Sequence, residues 1–114
     1  MIIRAGQMID PSGIEAVVSG IPGVLPGRAV ACGVDSPLEG SQMVVLLAEC
    51  QSTIGIAQTE IRAEILSRVA RETGIGLSRV KLVEPGWLIK SSSGKVSRRK
   101  CREKYLQFEG AAHE

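Results

Sequence analysis

The run Met43-Val44-Val45-Leu46-Leu47-Ala48 limits the folds open to this chain more than any other stretch. Its apolar residues do not alternate with polar ones, so an extended segment here needs cover on both faces. Gln42–Glu49 therefore reads as a strand packed between two layers. Val24–Val34 is the other strong strand candidate. The connection Asp35-Ser36-Pro37-Leu38-Glu39-Gly40 is short, polar and contains Pro and Gly, which predicts a hairpin.

The remaining elements supply the cover. Residues 2–9 alternate as a short strand broken at Gly6, and a glycine inside a strand marks a bulge or a close approach of other atoms. Asp10-Pro11-Ser12-Gly13-Ile14-Glu15 holds two overlapping helix starts. In one, Asp10 caps with Pro11 in the first turn; in the other, Ser12 and Glu15 form a capping box. Ile14, Val17 and Val18 share a face of that short helix, and Gly20-Ile21-Pro22-Gly23 ends it. The longest helix is predicted over about Ala57–Thr73, with Ile61, Ile65, Leu66, Val69 and Ala70 as its apolar stripe. Glu64 with Arg68 and Arg68 with Glu72 are i,i+4 pairs on its polar side. Gly74 and Gly76 close it.

Arg79–Val83 is a further strand, stopped by Glu84-Pro85-Gly86. Cys101, Tyr105 and Phe108 recur at i, i+4, i+7 and predict a last amphipathic helix from Ser97 to about Phe108. The order β-α-β-β-α-β-α implies an α+β fold, a small, mainly antiparallel sheet packed by about three helices. With 114 residues the chain fits one domain, residues 1–108, followed by a flexible tail at 109–114 that contains His113.

Composition narrows the class. No apolar run approaches the ~20 residues of a membrane span, and the first residues lack the apolar core of a signal peptide. Cys32, Cys50 and Cys101 are widely spaced with no C-x-x-C pair. They read as small apolar fillers in a reducing, cytoplasmic setting, with no disulfide and no metal site. Charge is unevenly spread. Residues 1–89 hold seven Lys/Arg against nine Asp/Glu, whereas residues 90–114 hold seven against three.

The positive half centres on Trp87-Leu88-Ile89-Lys90-Ser91-Ser92-Ser93-Gly94-Lys95-Val96-Ser97-Arg98-Arg99-Lys100. Small residues leave backbone N–H groups uncovered, and Gly94 permits a sharp turn that puts Lys95 at the tip of a loop. A cation at such a turn suits a phosphate or carboxylate. The stretch is not a P-loop, since Ile89 and Val96 stand where that signature needs Gly and Ser or Thr. Two plainer readings exist: Ser-Ser-Ser-Gly is linker-like, and Lys/Arg clusters are usually solvated surface. A small basic module binding RNA or an acidic protein through residues 90–104 is the alternative function. The lack of an aromatic residue between Lys90 and Lys104 for base stacking weighs against nucleic acid.

Three segments together resemble the carboxy-terminal domain of the adenylate-forming enzymes, which include acyl-CoA synthetases, fatty acyl-AMP ligases, luciferases and peptide-synthetase adenylation domains. Residues 2–15, a strand with a glycine leading to a Pro-started helix bearing Ile14-Glu15, resemble the family segment after its interdomain hinge. Residues 27–34, with Glu39-Gly40 and Val44–Glu49, resemble its central hairpin. Ile89-Lys90-Ser91-Ser92-Ser93-Gly94-Lys95-Val96-Ser97-Arg98 resembles the motif Pro-Lys-Thr-Ser-Ser-Gly-Lys-Ile/Val-x-Arg, with Ile89 for the usual Pro and Ser91 for the usual Thr. Pro85-Gly86-Trp87-Leu88 and Cys101-Arg102-Glu103-Lys104-Tyr105-Leu106 look most like the fatty acyl-AMP ligase and long-chain acyl-CoA branch.

The resemblance implies a domain that supplies a catalytic lysine, Lys95, to acyl-adenylate formation from ATP and a carboxylic acid. Lys90, Ser93, Gly94 and Arg98 would lie against ATP or the adenylate. Gly6 would lie on a second face, turned toward a pantetheine thiol after domain rotation. Implied cofactors are ATP with Mg²⁺, bound mainly by a large N-terminal ATP-binding domain absent here, and coenzyme A or phosphopantetheine as acyl acceptor. Implied partners are that large domain, in cis or in trans, and an acyl-carrier protein. Alone, the chain is expected to be inactive.

Overall fold

The computed structural model describes residues 2–4, 6–35, 42–51 and 55–112. Most of the expected hairpin connection, the Ser52–Ile54 part of the following loop, and His113 lie outside the described residues. A three-stranded sheet forms from β3 (Val24–Asp35), β4 (Gln42–Cys50) and β5 (Arg79–Val83), in the order β3-β4-β5. β3 and β4 run antiparallel, with Ala31 opposite Leu46, as the hairpin reading expects. β5 runs parallel to β4. A parallel pairing needs a long crossover, and helix α2 (Gly55–Thr73) provides it.

β4 is thus central, and its side chains alternate between two cores. Val44, Leu46 and Ala48 point to one face, where they meet Ile14 and Val18 of α1 (Pro11–Ser19) and Ile61, Ile65 and Val69 of α2. Val45 and Leu47 point to the other, where Leu88 and Cys101 and Tyr105 of α3 (Arg98–Ala112) cover them. Each fully buried aliphatic chain contributes roughly 1.5–3 kcal/mol. The uninterrupted apolar run is the direct signature of this two-sided burial.

Local chemistry selects between the sequence alternatives at α1. Asp10 is the N-cap, its carboxylate accepting from Ser12 N–H at 3.0 Å and Ser12 Oγ at 2.7 Å, with Pro11 in the first turn. Glu15 takes no part in a capping box; it reaches across to Ala31 and Arg98.

Three expectations are refined. Residues 2–9 form two strands, β1 (Ile2–Arg4) and β2 (Gln7–Ile9), paired antiparallel with Ile3 opposite Met8. Gly6 lies between them at φ +79°, so the break is a chain reversal. In α2 the buried line is Ile61, Ile65 and Val69, while Leu66 and Ala70 are exposed. A strict i,i+4 line already spans the contact with the sheet, and residues 66 and 70 lie a further ~100° round the helix. α3 continues to Ala112, past the expected end near Phe108. Among the described residues, no helix is long and apolar enough to cross a membrane.

Candidate active-site loop

Residues 84–97 connect β5 to α3, and each stage of this loop is fastened. Trp87 N–H bonds Glu84 O at 3.1 Å across Pro85-Gly86, with Gly86 at φ +90°. Pro then Gly at positive φ is the chemistry of a type II turn. Leu88, buried between the sheet and α3, donates its N–H to Glu49 Oε2 at 2.9 Å. Ile89 N–H meets Cys101 Sγ at 3.2 Å, and Ile89 O accepts from Ser97 N–H at 2.8 Å. Lys90 and Val96 form an antiparallel bridge, and Ser91 N–H reaches Lys95 O at 2.7 Å.

The tip is a tight turn. Gly94 N–H donates to Ser91 O at 3.0 Å with Gly94 at φ +86°, and the Ser91 hydroxyl reaches both Lys95 O and Ser93 Oγ. This is a closed, hydrogen-bonded hairpin, which the linker-like composition did not suggest. A Cβ on Gly94 would meet no atom within 4 Å, so the glycine serves conformation alone. Gly94→Ala is expected to cost about 1 kcal/mol and lower the melting temperature by several degrees. A melting temperature unchanged within about a degree would show that the turn relaxes freely.

The Lys95 side chain stands exposed at this tip, with no hydrogen bond or ion pair to its ammonium among the described residues. It borders an open groove of about 390 Å³ with Gly27, Ala29, Val30, Glu15 and Arg98. Lys90 and Ser93 are also exposed. Arg98 is already engaged: its guanidinium holds the Glu15 carboxylate through Nε and Nη2, both at 2.7 Å. Gly6 lies in the β1–β2 reversal, with open space where a Cβ would stand. Ser97 caps α3, its hydroxyl accepting from Lys100 N–H at 3.2 Å.

Under the loop is an ion pair whose acid is buried and whose arginine is half-buried. Arg28 grips Glu49 through Nε–Oε1 at 2.8 Å and Nη2–Oε2 at 2.7 Å, and Glu49 is 1% exposed. β3 shifts register between Val24 and Ala29, a bulge that includes Gly27 at φ +72° just before Arg28. Burial disfavours the Glu49 charge, yet Arg28 and the amides of Leu88 and Gly86 together hold its carboxyl below the usual range.

A carboxylate lowered in this way stabilises the fold above its unfolded pKa, about 4.3, and the contribution is lost as pH falls through the folded value. The melting temperature should be level from about pH 7 to pH 5 and fall below about pH 4, less steeply in Glu49→Gln. Equal slopes for the two proteins would remove Glu49 from the account.

The cysteines behave as fillers, all three free and buried. Burial raises the Cys32 thiol to about 11 and moves Cys50 and Cys101 upward, so none is a ready nucleophile. Among the described residues no group of His, Cys, Asp and Glu could hold a metal ion. Trp87 is occupied within the domain: Lys104 Nζ lies 4.2 Å from its ring centroid and Phe108 packs at 5.7 Å.

No family profile matches the chain. Curated relatives do. A protein of Mycobacterium bovis named as a fatty-acid–CoA ligase is 30% identical over 111 residues, covering 92% of this chain and 18% of the relative. A protein of Mycobacterium tuberculosis named as a long-chain-fatty-acid–AMP ligase matches with the same identity and coverage. Among solved structures, the adenylation-containing multidomain structure of a keto acid-selecting NRPS module superposes with TM-score 0.85 and 26% identity, over 94% of this chain and 9% of that one. The chain belongs to the adenylate-forming superfamily.

Within that superfamily it corresponds to the carboxy-terminal domain, and it spans about a fifth of the curated relatives it matches, 18–19% of their length. Fatty acyl-adenylate ligases from E. coli and L. pneumophila share the fold, with TM-score 0.80 over 97% of this chain at 22% identity. In this domain the residues singled out from the sequence separate spatially. Lys90, Ser93, Gly94 and Lys95 share one turn, Arg98 is tied to α1 through Glu15, and Gly6 sits in a different hairpin.

The sequence reading missed three supports: the Arg28–Glu49 pair, the Glu15–Arg98 pair and the packing of Lys104 on Trp87. One signal was present. Glu49 directly follows the apolar run of β4, where a charge demands a partner.

Proposed function

We propose that this domain lends the Lys95 ammonium to acyl-adenylate formation in an AMP-forming acid ligase whose larger ATP-binding part is supplied in cis or in trans. The observation that carries the reading is a lysine on a hydrogen-bonded, exposed turn, its side chain unpaired among the described residues, in the motif that resembles that of the adenylate-forming enzymes. A cationic side chain with no partner among the described residues is available to charge held by another domain.

A carboxylate oxygen attacks the α-phosphorus of ATP, the bond to the bridging oxygen breaks, and pyrophosphate leaves. Negative charge gathers on the phosphoryl oxygens, where a preorganised cation lowers the barrier. Lys95 provides that charge as a compact point on a flexible stem, able to reach into a cleft outside its own domain. The groove beside it is lined by Glu15, Gly27, Ala29, Val30, Val96 and Arg98. ATP with Mg²⁺ would be held by the larger part, since this domain offers no acidic cluster for a metal among the described residues.

In a second step the thiol of coenzyme A or a carrier-bound phosphopantetheine attacks the acyl carbonyl and AMP leaves. Gly6, on the β1–β2 hairpin, is the residue offered toward that thiol once the domain has turned. The names of the mycobacterial relatives favour a fatty acid as the acid substrate. The test is acid-dependent pyrophosphate release by the ligase carrying this domain, with and without Lys95→Ala; equal rates would overturn the reading. The same domain should show no salt-sensitive binding of oligonucleotide, which would instead favour a basic RNA-binding module.

A further inference from the structure

We infer that the ion pair of buried Glu49 with half-buried Arg28 is a clamp that positions the Lys95 loop, which makes both residues positioning residues for the reaction proposed above; the inference rests on that reading. Lys95 has no side-chain partner of its own among the described residues. Its place in space is therefore set by the backbone beneath it. That backbone is a ladder whose successive rungs are Ser91 to Lys95, Lys90 to Val96, and Ile89 to Ser97. The ladder starts at Leu88, and the ion pair holds Leu88 at both ends of the residue. Glu49 Oε2 accepts its N–H at 2.9 Å, and Arg28 Nη2 approaches its carbonyl oxygen at 3.4 Å.

Stability alone is a poor reason for such a pair. Apolar residues of the same volume often match such a pair, because desolvating the Glu49 carboxylate offsets much of its attraction to Arg28. Apolar residues could fill the space between β3 and β4, but none could bind the N–H and the oxygen of one loop residue at once. Arg28 reaches Glu49 because the β3–β4 register that sets Ala29 opposite Ala48 carries residue 28 to the position opposite residue 49. The pair thus joins the rigid sheet to the base of the loop, 39 residues away in sequence from Glu49.

The experiment compares the 114-residue chain with Glu49→Gln and with the double variant Arg28→Met/Glu49→Met, which keeps volume without charge. Hydrogen exchange at Leu88, Ser91, Gly94 and Ser97 should quicken by about tenfold or more, since charge-assisted bonds to the loop are lost. Exchange at Leu46 and Ile65, in the opposite core, should quicken by a clearly smaller factor than in the loop. Unchanged loop rates, or core rates rising equally, would overturn the clamp.

In the ligase carrying this domain, Glu49→Gln should lower kcat for pyrophosphate release by about tenfold and leave the KM for ATP within about twofold. An unchanged kcat beside a loosened loop would likewise overturn it. A failure of the proposed function would register elsewhere, as full activity in Lys95→Ala, and the exchange result would stand regardless.

Discussion

Replacing Lys95 by alanine in the intact ligase is expected to lower acid-dependent pyrophosphate release by about two to three orders of magnitude, the scale of losing one preorganised charge at a developing oxyanion. The fold should not notice. Lys95 is exposed and holds no other side chain among the described residues, so the melting temperature should move by no more than about 1–2 °C, as for an ordinary surface substitution. The loss should fall on kcat, because the charge matters most where the phosphoryl oxygens gain negative character. Lys95→Arg should recover only part of the rate: the planar guanidinium keeps the charge but moves its centre and needs more room. On the proposed role in adenylate formation, thioester formation from preformed adenylate should survive Lys95→Ala. An alanine variant that releases pyrophosphate at the wild-type rate would show that Lys95 lies outside the site.

The largest effect on stability is expected at Leu46. Its side chain is fully buried on the central strand, in the core closed by α1 and α2. Leu46→Ala removes that contact and leaves a void between a sheet and two helices that cannot both close on it. The cost is about 2–5 kcal/mol, a melting-temperature drop on the order of 10–30 °C for a domain of this size. Leu66→Ala is the control. Leu66 is 39% exposed on α2, so its removal should cost within about 1 kcal/mol although the residue type is identical. Thermal melts of the two variants decide the matter, and comparable losses would contradict the placement of α2.

These two leucines show what is legible from a pattern and what is not. The Met43–Ala48 run required cover on both faces of its strand, and the structure places α1 and α2 on one side and α3 on the other. The α2 stripe was read too broadly, because helical spacing marks a face while the width of the contact depends on the sheet beneath it. Asp10 and Ser12 were equally good caps by residue type. Long-range chemistry separated them, for Glu15 is drawn away to Ala31 N–H and Arg98. The break at Gly6 was visible, but whether it was a bulge or a reversal depended on Ile3 finding Met8.

The candidate site divides in the same way. The lysine-bearing turn is local: Ser91, Ser93, Gly94 and Lys95 lie within five residues, and their hydrogen bonds close among themselves. Such chemistry can be read along the chain, and so the basic tip was found there. Arg28, Glu49 and Leu88 are joined over 21 and 39 residues, and no spacing rule links them. The amino-acid order by itself determined a doubly covered central strand and a cation at the end of a small-residue turn, because both follow from the properties of adjacent residues. Only the tertiary structure decided which buried acid accepts the Leu88 N–H at the base of that loop and which arginine neutralises it. Burial makes an unpaired charge so costly that the fold must bring distant partners together.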